Sequence, residues 1–378
     1  MHICYIANKY PSKHDPNVLV FVQQLVWALA DEGQDVSVIS PVPININPNY
    51  RDIPFRYDER TERANLVAVY RPKTIGFGQS RYIFGKSPIK VTTRFIELAC
   101  VRAIRQMQSV PDAFIGHFAA PAGVVAIRLA RRYGKKGYFA FGDFSTVYID
   151  QFGRESFKRE CSDLNGVIAV STRNKRLLSE GCIIPDSKIG VFPNGFRPDR
   201  FSPKDRRIAR EKFGLDQDAF IVGFVGTYDE RKGVKRLEAA VDQLEGVALA
   251  CAGSGNLQPT SPKCIFNERV PNDLLPWFYA SLDVFALPTL EEGCSNAIVE
   301  AVAMGLPIIS SARDFNTDVL DGSCALLIDP TDIQSIEQAI LELKNDTEKR
   351  RELAAGSLRR SKDLTLSKRA RNIINFIS

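Results

Sequence analysis

Two runs of alternating apolar strands and amphipathic helices, separated by one aperiodic stretch, constrain this chain more than any other feature. The first run has strand-like segments at 2–7, 35–40, 66–71, 113–118, 137–141, 166–170 and 189–192. After the first of them, Val18, Phe21, Val22, Leu25, Val26 and Leu29 recur at the spacing of one helix face, and Gly33 stands where such a helix stops. The strands are apolar throughout (HICYIA, AFIGHF, GVIAV) rather than alternating, so both faces need cover, which implies parallel sheet. The stretch 193–205, PNGFRPDRFSPKD, is rich in proline, glycine and charge, and reads as an inter-domain linker. Alternation resumes at 219–226, 246–253, 264–266, 283–288, 307–311 and 325–329, and the tail from about 332 predicts three helices, the last over 366–378. The expected fold class is α/β, with two Rossmann-like doubly wound domains: 1–193 completed by a C-terminal helix at 364–378, and 194–363. A length of 378 residues fits two such domains. If they face each other, the carboxyl ends of both sheets border a cleft, the default ligand site.

Several function classes fall away at this level. No apolar run approaches the ~18 residues of a membrane-spanning helix, and MHICYIANKY does not read as a secretory signal. The eight cysteines, at 4, 100, 161, 182, 251, 264, 294 and 324, include no C-x-x-C, and several sit in apolar strand-like runs, so they read as reduced, mostly buried thiols. Three histidines without metal-ligand spacing give no zinc site. There is no P-loop, and NKYPSKHDPN replaces a G-x-G-x-x-G after the first strand, which argues against a dinucleotide-dependent dehydrogenase. Asp216-Gln217-Asp218 is formally D-x-D, but it precedes a strand without a second acidic cluster and reads as a turn.

The most informative segment is 283–310. A buried strand ends at Pro288, a polar loop carries Glu291, Glu292 and Gly293, and a helix is expected from about Ser295 to Met304 with Gly305 as its stop. The backbone N–H groups of Cys294, Ser295 and Asn296 would then meet an anion, helped by the helix dipole. Glu292 and Glu300 flank that start. Carboxylates accept hydrogen bonds from sugar hydroxyls while amides take a phosphate, so the pattern suits a polyhydroxylated phosphate ester.

Glu292, Gly293, Asn296, Glu300, Ala301, Ala303, Gly305 and Pro307 resemble the E-x7-E signature of the retaining glycosyltransferases of family four. Further matches follow in order: PNG at 193–195, Lys232-Gly233 after the strand at 219–226, the glycine turn CAGSGN at 251–256, and NERVPNDLLPWFYASLD at 267–283. FVQQLVWALADEGQDVSVIS at 21–40 and HFAAPAG at 117–123 resemble the family's N-terminal half more loosely. The resemblance implies a GT-B fold, with an N-terminal acceptor-binding domain and a C-terminal nucleotide-sugar-binding domain, and a hexosyltransferase-type, metal-independent transfer that retains anomeric configuration. It places the catalytic work on Glu292 (donor sugar hydroxyls) and Lys232 (diphosphate), with His117 and Asp143 as candidates from the N-terminal half. Donor-binding positions would be Gly226, Thr227, Arg231, Gly253, Arg269, Val270, Gly293, Cys294, Ser295, Asn296 and Glu300, with Arg269 and Val270 beside the base and Glu300 on the ribose. No metal or other cofactor is implied.

Two positions depart from the family pattern. Phe141 stands where a histidine is usual, and Phe neither donates a hydrogen bond nor carries a proton. Thr227 stands where an arginine is usual, with Arg231 nearby. Reassignment of the sugar contact to Asp143 or His117 is one consequence. A catalytically weak, glycosyltransferase-like partner subunit is the other, and a nucleotide-sugar epimerase of the same fold is a further alternative.

The net charge of +6 conceals a basic front half. Between 63 and 105 there are nine basic side chains against one acid, Glu97. Over 88–107 a helix is expected with Lys90, Arg94, Arg102 and Arg105 on one side, and upstream Arg71, Lys73, Arg81 and Lys86 mix with Tyr82, Ile83 and Phe84. Basic and aromatic groups interleaved in this way suit an anionic membrane surface. The expected partners are a nucleotide-sugar donor, a glycan or lipid-linked acceptor and such a surface, with no nucleic acid, because the E-x7-E carboxylates would repel its phosphates. The expected location is the cytoplasm, peripheral at the inner face of the membrane.

Overall fold

The computed structural model describes residues 1–77, 87–181 and 183–378. The chain forms two compact units, Met1–Phe192 with Leu366–Ser378, and Pro193–Thr365.

The first unit contains β1 (His2–Ala7), β2 (Asp35–Ile39), β3 (Val42–Pro43), β4 (Arg56–Arg60), β5 (Leu66–Tyr70), β6 (Lys73–Thr74), β7 (Ala113–His117), β8 (Lys136–Phe141), β9 (Gly166–Ala169) and β10 (Ile189–Val191). Eight of these make one sheet in the order β10-β9-β8-β7-β1-β2-β5-β4, and β3 pairs with β6. All its neighbours are parallel except β4, which runs antiparallel to β5. Both faces are covered, as the apolar strands require. Ile3, Tyr5 and Ala7 pack in the cluster under the Val20–Asp31 helix, while Cys4 and Ile6 pack in the cluster under the Ile89–Ile104 and Val124–Tyr133 helices. The Leu366–Ile377 helix returns to this unit: Ala370, Ile373 and Ile377 join the first cluster, Arg371 pairs with Glu32 at 3.1 Å, and Tyr138 donates to Ile377 O at 3.1 Å.

The second unit contains β11 (Phe220–Tyr228), β12 (Val247–Gly255), β13 (Cys264–Glu268), β14 (Val284–Leu287), β15 (Ile308–Ser311) and β16 (Ala325–Ile328), all parallel, in the order β13-β12-β11-β14-β15-β16. The three C-terminal helices run Ile333–Asn345, Thr347–Ser361 and Leu366–Ile377.

The structure corrects the sequence reading at several places. β4 has the sequence RYDER, and its polar edge-strand pattern gives no apolar run to find. The stretch 193–205 is no loose linker. Phe196 N donates to Leu364 O at 2.9 Å, and Phe196 and Phe201 are buried in the second unit's core; each such phenylalanine contributes about 1.5–3 kcal/mol by burial. Gly253 lies inside β12 rather than in a turn, because that strand runs on to Gly255, and Gly226 lies inside β11, which runs on to Tyr228. A Cβ on Gly253 would sit 1.9 Å from the Gly226 carbonyl oxygen, so the close approach that requires glycine is strand to strand. Arg71 and Lys73 do not face solvent as a membrane-docking patch needs. Arg71 is buried and donates to Tyr10 O at 3.1 Å, and Lys73 donates to Tyr50 O at 2.7 Å and Ile53 O at 2.6 Å. Arg81, Tyr82, Ile83, Phe84, Lys86 and Cys182 lie outside the described residues. Cys4, Cys100, Cys161, Cys251 and Cys324 are buried free thiols, and Cys264 and Cys294 are half-buried ones. Asp218 N donates to Asp216 Oδ1 at 2.9 Å, which makes the D-x-D segment a local turn.

Candidate functional site

In the second unit the winding reverses at β11: β12 and β13 lie to one side, and β14, β15 and β16 to the other. Loops leaving the carboxyl ends of β11 and β14 therefore border a crevice at the switch point. The β11 loop carries Asp229–Gly233 and the β14 loop carries Pro288–Ser295. They are knitted together by Leu290 N donating to Arg231 O at 2.8 Å and Arg231 Nη1 donating to Glu291 O at 2.8 Å. Asp229 Oδ1 accepts from Lys232 N at 2.7 Å, and Gly233, at φ 80°, starts the Val234–Asp242 helix. A side chain at Gly233 would meet Pro288 O at 2.4 Å, so only glycine lets the two loops close.

This closure gathers charge. Glu292 is buried, and its Oε1 accepts from Arg231 Nη1 at 2.9 Å and Thr289 Oγ1 at 3.1 Å, and pairs with Lys232 Nζ. Removing such a carboxylate would leave two partly desolvated cations facing each other, whereas a bound polyanion could replace it. The Asn296–Ala303 helix begins just beyond, with Ser295 as N-cap and Gly305, at φ 71°, past its end. No side chain caps this helix start, and the Ser295 Oγ is buried without a partner among the described residues. Asn194 braces it from the PNG turn, donating to Cys294 O at 2.9 Å and Asn296 Oδ1 at 2.8 Å. Gly293 is buried, and Cys294 and Asn296 are half-buried. One turn on, burial pushes the Glu300 carboxyl up to about 7, against the opposing pull of the Tyr279 hydroxyl and the Arg200 charge.

The other expected positions lie as follows. Thr227 is exposed next to the last residue of β11, Arg269 is exposed just past β13, and Val270 packs partly against the core. Glu292, Lys232 and Arg231 therefore form one cluster, while Glu300 has separate partners. In the first unit, His117 ends β7 and Asp143 lies two residues beyond β8. Burial drives the His117 ring down to about 3, with the Arg369 charge adding to the effect, and its Nδ1 lies 3.1 Å from Tyr5 OH. At that value the imidazole is neutral at physiological pH. Burial pushes the Asp143 carboxyl up to about 7. Phe141 is wholly within the core. Among the described residues, no group of three His, Cys, Asp or Glu side chains could hold a metal ion.

The sequence profile of the glycosyl transferases group 1 matches residues 219–346. Over 360 residues the chain is 26% identical to TuaC of Bacillus subtilis, a glycosyltransferase assigned to teichuronic acid biosynthesis, covering 92% of this chain and 90% of that protein. It is also 26% identical over 314 residues to a GDP-mannose-dependent α-(1-6)-phosphatidylinositol monomannoside mannosyltransferase of Mycolicibacterium smegmatis, covering 77% of this chain and 78% of that one. Among solved structures, sucrose-phosphate synthase of Thermosynechococcus elongatus superposes with a TM-score of 0.78 at 19% identity, over 99% of this chain and 97% of that one. Anabaena HepE in complex with UDP-glucose superposes at 0.74 and 15% identity, over 99% and 98%. The chain is a GT-B glycosyltransferase related to family four.

Four residues that touch or bear on the E-x7-E segment were not singled out in the sequence reading: Thr289, Asn194, Tyr279 and Arg200. Thr289 directly follows the strand-ending Pro288 and could have been suspected from position. Asn194 and Tyr279 lie in segments the sequence marks, 193–195 and 267–283, but their reach to the E-x7-E segment, like that of Arg200, is non-local.

Proposed function

We propose that the enzyme moves a sugar from a nucleotide-sugar to a hydroxyl of a lipid-linked or cell-surface glycan precursor, with retention at the anomeric carbon. The observation that carries the donor half is the cluster of Lys232, Arg231 and Glu292 beside an uncapped helix start with an unpartnered Ser295 hydroxyl. The donor diphosphate takes Lys232 and Arg231 from Glu292, with Arg231 supplying the cation that Thr227 cannot. The released Glu292 carboxylate turns to hydroxyls of the donor sugar. The N–H groups and hydroxyl at the helix start hold phosphate oxygens, and Glu300 holds the ribose. The acceptor oxygen bonds to the anomeric carbon from the face the diphosphate leaves, and its proton passes to the departing phosphate oxygen. No metal is assigned a part. Asp143 takes the sugar contact that Phe141 cannot make, while neutral His117 positions the turn after β7.

The acceptor half draws on relatives named for teichuronic acid, phosphatidylinositol mannoside and capsular polysaccharide synthesis. It also draws on the Ile89–Ile104 helix, where Val91 and Leu98 are 50% and 48% exposed between exposed Arg94, Arg102 and Arg105. That face suits an anionic bilayer, which would hold the enzyme peripherally at the inner membrane surface. Flotation with phosphatidylglycerol vesicles should retain the protein at low salt and lose it with Leu98→Glu; no binding at any salt would discard the membrane reading.

A thermal-shift panel of UDP-, GDP- and ADP-sugars tests the donor half. One nucleotide series should stabilise the wild type and not Glu300→Ala. If none stabilises the wild type, the donor assignment is wrong. If a donor binds but no acceptor accepts the sugar, the buried Phe141 would favour a weakly active partner subunit instead.

A further inference from the structure

Tyr279, on the Leu275–Ala280 helix, is fully buried, and its ring packs against Phe201 and Phe285 with centroids 6.2 and 5.6 Å away. Its hydroxyl donates to Glu300 Oε2 at 2.9 Å and reaches Ala297 O at 3.3 Å. Glu300 Oε1 has no hydrogen-bond partner among the described residues, and the residue keeps some exposed surface. Arg200, stacked over Phe201 at 5.0 Å and anchored to Asn272 O, brings the other nearby charge to bear on Glu300 from the 193–205 segment. The carboxylate is thus held by one oxygen, through the hydroxyl of a fully buried ring, with the second oxygen open.

We infer that Tyr279 is a positioning residue for the donor: it fixes Glu300 by Oε2 and presents Oε1 to the ribose hydroxyls, so that nucleotide binding is coupled to the ionisation of Glu300. This rests on the assignment of Glu300 to the ribose given above. Two ribose hydroxyls are donors, and an ionised carboxylate accepts both, whereas a protonated one competes with its own O–H. Burial opposes ionisation, and the Tyr279 hydroxyl and Arg200 favour it, which leaves the balance near neutral pH.

The test is calorimetric binding of whichever of UDP-glucose, GDP-mannose or ADP-glucose binds wild type most tightly. It is measured from pH 5.5 to 9.5, in buffers of different ionisation enthalpy, for wild type, Tyr279→Phe and Glu300→Gln. In wild type, affinity should fall by up to about tenfold per pH unit below the midpoint, with proton release on binding. In Tyr279→Phe the phenyl ring keeps the packing, the midpoint should move up by about one pH unit, and affinity at pH 7 should fall about fivefold but recover by pH 9.5. Glu300→Gln should bind weakly with no such pH dependence. If Tyr279→Phe lowers affinity equally at every pH, or not at all, while Glu300→Gln abolishes the profile, the Tyr279 inference fails and the ribose assignment stands. If Glu300→Gln binds like wild type, the ribose assignment fails with it.

Discussion

Glu300→Gln should make the Pro193–Thr365 unit more stable at alkaline pH even as it damages donor binding. The Glu300 carboxyl rises from an ordinary 4.5 to about 7 in the folded protein, chiefly because it is buried. A shift of about 2.5 units corresponds to about 3 kcal/mol at 1.36 kcal/mol per unit. The sign follows from proton linkage. With the folded value raised, the stabilising effect is fully present below about 4.5 and lost progressively as pH rises through about 7, because ionisation then occurs more readily in the unfolded chain. Glutamine has the same shape, stays neutral, and still offers an oxygen to the Tyr279 hydroxyl. The variant should therefore match wild type near pH 4.5–5 and exceed it by about 1–3 kcal/mol at pH 8.

The chain has two tryptophans, and Trp277 belongs to the second unit. In a Trp27→Phe background its fluorescence follows that unit's urea unfolding. A wild-type–variant difference that is the same at pH 5 and pH 8, or that favours wild type at pH 8, would refute the claim that Glu300 is held at an energetic disadvantage.

Asp143→Asn should behave alike in the first unit, stabilising it at pH 8 but not at pH 4, because burial raises Asp143 from 3.8 to about 7; a pH-independent effect in urea titrations contradicts this. His117 sits at about 3, so its ring proton resonance should not titrate between pH 5 and 8. The stability it confers should be present above the unfolded value near 6.5 and erode as pH falls toward about 3; an NMR midpoint near 6.5 would contradict the buried placement. Gly253→Ala puts a Cβ 1.9 Å from the Gly226 carbonyl oxygen and should destabilise the second unit by about 3 kcal/mol or more, read as a lowered Tm or lost soluble yield; a wild-type Tm would contradict the strand spacing.

The parallel sheets were legible because their strands are buried on both faces and so read as continuous apolar runs, HICYIA and VALACAG among them. The E-x7-E helix was legible because Ser295, Glu300 and Gly305 are linked by local helix geometry alone. What escaped is non-local or electrostatic. RYDER makes a strand only because β5 offers an edge. Arg71 and Lys73 look like surface cations until the chain brings the Tyr10, Tyr50 and Ile53 carbonyls around them. The segment 193–205 has a linker's composition, yet Phe196 and Phe201 tie it into a core. Lys232 and Glu292 were each legible by position, but their direct pairing depends on Gly233 allowing two loops to close over it.

Equilibrium binding of nucleotide-sugars to wild type and Lys232→Met tests the donor site most directly. One series of UDP-, GDP- or ADP-sugars should bind wild type, and Lys232→Met, which keeps the unbranched stem but lacks the ammonium, should weaken that binding at least about tenfold. Equal binding by Lys232→Met, or no binding to wild type at all, would contradict the donor assignment.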